Sequence, residues 1–115
     1  MSEFVEYLHE VFAEFGEINV RKMFGGYGVY HGGVMFGLIA DDQLYLKVDD
    51  TNREDFEALG LEAFEYNKQG KLMKMSYYLA PEEIYDGPEV ATEWARKSWG
   101  IALKNARIKK KESAQ

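Results

Sequence analysis

A chain of 115 residues, 46% hydrophobic and 15% aromatic, holds material for one domain and one core. With no cysteine, disulfides and cysteine-ligated metals are excluded. The net charge of −6 is unevenly placed: residues 1–95 carry seven Lys or Arg and nineteen Asp or Glu, a formal −12, whereas residues 96–115 carry seven basic residues and one acid, a formal +6. Most of the surface should therefore repel nucleic acid at long range, while the C-terminal segment can meet phosphate locally. No window nears the ~20 apolar residues of a spanning helix, and Met1-Ser2-Glu3 lacks the positive region of a secretory signal. The expectation is a cytoplasmic protein that makes no membrane contact.

The first helix is expected over Glu3 to Phe15, where Phe4, Leu8, Val11, Phe12 and Phe15 recur at three- and four-residue spacing. Glu6, Glu10 and Glu14 take the other side, and Gly16 ends the pattern. The period then changes to two. Ile18 to Phe24 and Gly28 to Tyr30 read as strands around the pair Gly25-Gly26. His31-Gly32-Gly33 and Asp41-Asp42 read as turns, with strands over Val34 to Ala40 and Gln43 to Val48. Connections this short favour an antiparallel meander.

Thr51-x-x-Glu54 has the spacing of a capping box and opens a short helix that stops at Gly60, with Phe56 and Leu59 turned inward. Ala63 to Tyr66 and Leu72 to Leu79 add strands across a polar turn at Lys68 to Lys71. In the last strand Met73, Met75, Tyr77 and Leu79 alternate with Lys74, Ser76 and Tyr78, so one face should pack. Gly87-Pro88 starts the final helix, expected to reach Ile108. Val90, Ala91, Trp94, Ala95, Ile101, Ala102, Asn105 and Ala106 share its inner sector, with Trp94 buried. The sum is an α+β fold in which an antiparallel sheet packs on N- and C-terminal helices, a two-layer sandwich. One domain is expected over residues 1–108, with a basic, frayed tail over 109–115.

Sites of chemistry are weakly supported. The glycines of Phe24-Gly25-Gly26-Tyr27-Gly28 precede a strand, whereas a phosphate loop needs a helix there, so a twist, bulge or close strand contact fits better. Asp41, Asp42, Asp49 and Asp50 lack calcium-loop spacing and suit turns and a helix start. His9 and His31 form no HxxH-type pair, and neither Ser76 nor Ser98 sits in a nucleophile elbow. Glu82 and Glu83 are adjacent without being placed around a substrate. No enzyme activity, metal or cofactor is expected. The remaining signal is Arg96, Lys97, Lys104, Arg107, Lys109, Lys110 and Lys111, which suit a phosphate backbone or a partner, with Trp99 at the edge of the apolar arc as a rim contact. A solvated outer helix face is the alternative for these positions.

Taken together, Arg21, Met23, Phe24, Gly25, Gly26, Gly28 and Tyr30, then Gly33, Phe36 and Leu44-Tyr45-Leu46-Lys47-Val48-Asp49, resemble the N-terminal domain of the TfoX/Sxy competence regulators. Met75-Ser76-Tyr77-Tyr78 and Trp94-Ala95 extend the resemblance across nearly the whole chain. It implies a compact domain with an antiparallel sheet and a helical layer. It also implies bacterial transcriptional regulation, chiefly activation of DNA-uptake genes in cooperation with a DNA-bound activator. Longer members carry a second, helical domain, and whether this chain stands alone is left open. The resemblance carries over no catalytic residues. The reading is a noncatalytic regulatory protein-interaction domain, with a protein partner such as that activator, a homodimer as a further option, and nucleic acid in weak or indirect contact. A nucleic-acid-binding module built on the basic C-terminal end is the alternative, and a small-molecule or enzymatic domain a distant third.

Overall fold

Tight turns dictate the architecture. The computed structural model of the chain describes residues 2–23 and 25–113, with side chains through Lys109; Phe24 and the side chains of Lys110 and Lys111 lie outside the described residues. Strands β1 (Asn19–Met23), β2 (Gly26–His31), β3 (Val34–Ala40) and β4 (Gln43–Lys47) run antiparallel. The pairs Met23↔Gly26, His31↔Val34 and Ala40↔Gln43 leave two residues in each turn. Gly32 and Gly33 have φ of +57° and +78°, and Asp41 and Asp42 have +50° and +55°. Positive φ at both central residues gives a turn whose twist matches the flanking strands. Aspartate tolerates this region better than most residues do.

Strands β5 (Ala63–Lys68) and β6 (Lys71–Leu79) form a fourth hairpin, and β6 adds beside β4 to give the order β1-β2-β3-β4-β6-β5. The helices are α1 (Glu3–Val11), α2 (Arg53–Glu57) and α3 (Pro88–Ser113), with a 3-10 turn at Glu82–Tyr85. Side chains alternate across a strand. Val29, Ile39, Leu44 and Leu46 therefore point to one face, where they join Val5, Leu8 and Phe12 near α1, Phe56 of α2 and the alanines of α3. Ala91, Ala95 and Ala102 are buried and small, which lets α3 lie close to the sheet. The expected α+β sandwich is thus present: a six-stranded antiparallel sheet with helices on one face.

Several local expectations are corrected. Helix α1 ends at Val11 rather than Phe15; the chain then turns through Phe12–Phe15, which sets both rings against Phe36 at 5.8 and 5.3 Å. Val5, overlooked in the sequence pattern, is fully buried. Leu59 is 53% exposed because α2 ends at Glu57, before the next turn could carry it inward. The faces of β6 are the reverse of those expected: Tyr78, opposite Leu46, packs on the core, and Met73, 42% exposed, lies on the other face in the part of the hairpin that runs beyond β4. Trp94 is half-buried against Phe56, ring centroids 5.0 Å apart. Helix α3 continues past Ile108 to Ser113, while Asn105 and Ala106 are exposed.

Candidate interaction surfaces

The glycine-rich motif builds a surface. A Cβ on Gly26 would sit 2.1 Å from the Ile39 carbonyl oxygen, a distance no side chain survives. Gly25 has φ +76° and supplies the turn. A Cβ on Gly28 would lie 2.7 Å from Met23 Sδ, 3.0 Å from Tyr30 Cε1 and 3.2 Å from Met35 Sδ. The missing side chain is the space those three groups occupy. Arg21, exposed, places its guanidinium carbon 5.1 Å from the Tyr30 ring centroid. The bulge expected near the glycines lies between β2 and β3 at Val29/Tyr30.

The Leu44 to Asp49 segment divides its work by face. Leu44 and Leu46 enter the core, while Tyr45 meets Phe64 edge-on at 5.0 Å on the other side. Lys47 is a junction: its Nζ donates to Ser76 Oγ at 2.6 Å and lies 5.1 Å from the Tyr77 ring centroid. Its carbonyl accepts from buried Ser98 Oγ at 2.8 Å and from Asn52 Nδ2 at 3.2 Å. Burial, with Lys109 nearby, pulls the Lys47 ammonium below its ordinary range; Asp49 opposes that. The expected capping box does not form. Asp49 Oδ1 accepts from both the Thr51 amide and the Thr51 hydroxyl, which holds the Asp49 carboxyl below its usual range. Asn52 takes the N-cap position of α2 without capping it; its Oδ1 accepts from the Asp49 amide at 2.9 Å.

The basic residues of α3 separate. Lys97 Nζ pairs with Asp55 of α2 at 2.9 Å, and Arg96 borders the same α2–α3 cleft. Lys104 and Arg107 are exposed farther along, and Lys109 borders a second cleft with Met35, Lys47 and Tyr77. Trp99 is tied down: Nε1 donates to the His31 carbonyl at 2.9 Å, and the ring packs on Phe15 and His31. The α2–α3 cleft, about 810 Å³ in volume, sets exposed Leu59 beside Trp94, with Glu83 and Glu93 among the acids at its border. Sequence periodicity missed it because it assigned both apolar residues to the interior. The signal available was the shortness of the helix before Gly60.

Other polar candidates have structural partners. Ser98 and Ser76 both bond to Lys47, as described, and His31 Nδ1 donates to the Glu17 carbonyl at 2.7 Å. Asp41 and Asp42 form a turn, and Asp50 pairs with Arg53. Among the described residues no group of three His, Cys, Asp or Glu side chains could hold a metal ion. No helix among them is long and apolar enough to cross a membrane.

Two comparisons with known proteins give matches. The family described as the TfoX N-terminal domain matches residues 10–102. The DNA transformation protein TfoX1 of Aliivibrio fischeri is 32% identical over 78 residues, 68% of this chain and 37% of that protein. The match thus spans little more than a third of the relative's length.

Proposed function

We propose that this chain, which belongs to the TfoX N-terminal domain family, is a noncatalytic cytoplasmic domain that regulates transcription of DNA-uptake genes by docking on a protein, a DNA-bound activator. The relative's role in DNA transformation supports the process. The α2–α3 cleft supports the mode: exposed Leu59 next to half-buried Trp94 is an apolar centre ringed by charge of both signs. Interfaces concentrate binding energy on such aromatic and aliphatic anchors, while rim charges set orientation. Burying the exposed half of a leucine contributes about 1 kcal/mol.

The test is a Leu59→Lys variant in cells carrying a DNA-uptake gene reporter. Reporter output is expected to fall about ten-fold or more, with protein level and thermal unfolding unchanged. Full output from a folded Leu59→Lys protein rejects the cleft as the docking site. A second reading rests on exposed Lys104 and Arg107, which suit phosphate contact from the outer side of α3.

A further inference from the structure

The sheet face opposite the core is an aromatic and basic surface, bordered at Lys47 and Tyr77 by the C-terminal part of α3. Register and alternation place Tyr30, Tyr45, Phe64, Tyr66 and Tyr77 on it. Phe64 contacts Tyr45 at 5.0 Å and stacks on Tyr66 at 6.4 Å. All but Tyr77 are partly exposed. The same alternation gives this face Arg21, Lys47, Lys68 and Lys71, and no aspartate or glutamate among the strand residues described. That is unexpected in a chain of net charge −6. Acids lie at its rim: Asp41 of the β3–β4 turn beside Tyr45, and Asp49 beside Lys47. Two cations already lie over rings of this face, Arg21 over Tyr30 and Lys47 over Tyr77, each 5.1 Å from the centroid.

We infer that this sheet face binds single-stranded nucleic acid, with bases stacked on its partly exposed rings and phosphates on Arg21, Lys68 and Lys71. Single strands expose the π-faces of their bases and carry one negative charge per nucleotide, which is the complement of rings set among cations. A duplex hides those faces within its own stack. A second copy fits poorly, because two-fold pairing through this face would set the same four cations against themselves. The motif glycine contributes directly: a side chain at Gly28 would displace the Tyr30 ring, which packs over that position.

The experiment is fluorescence anisotropy of the full chain with fluorescein-labelled single-stranded oligo(dT), at low and moderate salt, against a labelled duplex. Saturable binding that weakens with salt and favours the single strand is expected. Tyr66→Ala and Tyr45→Ala are each expected to weaken it about ten-fold, Tyr66→Phe to retain it, and Arg21→Gln, an exposed change that leaves the core intact, to flatten the salt dependence. The inference is overturned if neither strand form binds, or if the duplex binds as well as the single strand. It is also overturned if Lys104→Ala with Arg107→Ala abolishes binding while the tyrosine variants do not, or if Tyr66→Ala instead dissociates a dimer seen by sedimentation.

Discussion

At the scale of single residues, Gly26 and Tyr77 show two kinds of constraint. The Ile39 carbonyl oxygen lies where any Cβ on Gly26 would go, and it belongs to backbone fixed in the sheet, so it cannot move aside cheaply. Gly26→Val is expected to cost several kcal/mol, about 3 or more, in urea denaturation; stability within about 0.5 kcal/mol of the parent would refute the assignment. Tyr77 is held by a milder constraint. Burial, with Tyr30 nearby, pushes its phenol up to about 12, and burial, with Tyr7 and Glu82 nearby, does the same for Tyr85. An unfolded tyrosine ionises near its ordinary value of 10.0. The folded state therefore holds more protons between those values, and stability falls as pH rises through the window. Chemical denaturation across it should show the decline, and Tyr77→Phe should make it shallower. An unchanged slope in that variant would exclude Tyr77 as a source. Legibility differed between the two: glycine spacing announced a backbone constraint in advance, whereas the burial of one tyrosine among eight depended on β4–β6 register.

At the scale of elements, turns and strands were readable because their signals are local. The β3 boundaries, the glycine and aspartate turns and the start of α3 at Pro88 all follow from dihedral preference and period two. The ends of α1 and α2 did not. Whether Phe12 and Phe15 continue a helix depends on Phe36, a strand residue distant in sequence. The α2 entrance failed for a similar reason: Thr51 and Glu54 have capping-box spacing, but Asp49 takes the Thr51 hydroxyl. Asn52, 1% exposed, instead ties the Asp49 amide to the Lys47 carbonyl. Asn52→Ala is accordingly expected to cost about 2 kcal/mol, more than Thr51→Ala, since it leaves the part-buried Asp49 amide unpaired and removes one of the two side-chain bonds to the Lys47 carbonyl. Paired urea titrations decide this; equal costs would restore the capping box. The cleft between α2 and α3 was illegible for the same reason, since it arises where two elements fail to cover Leu59 and Trp94.

At the scale of the whole molecule, charge is segregated along the chain and again across the sheet. The −12 of residues 1–95 opposes attraction of duplex DNA to the +6 beyond them. Duplex affinity at ~0.15 M salt is expected to be weaker than micromolar. Truncation after Ile108 should leave the thermal midpoint within about 2 °C, because the last core residues of α3 are Ile101 and Ala102. Submicromolar duplex binding that vanishes on truncation would instead favour the basic end of α3 as the working surface. The family and the fold were legible from motif residues spread over the chain. The proposed binding surfaces were not, because they are defined by which side chains the helices leave uncovered.

The strand order has a kinetic side. Strands β1 to β4 meet through two-residue turns, so each pairing closes a short loop at small cost in chain entropy. Joining β6 to β4 is different: Lys47 must find Tyr77 across α2 and the whole β5 hairpin. Contacts of greater sequence separation slow folding. During synthesis the four-strand meander leaves the ribosome complete, with the β4 edge unsatisfied until the later hairpin arrives to cover it.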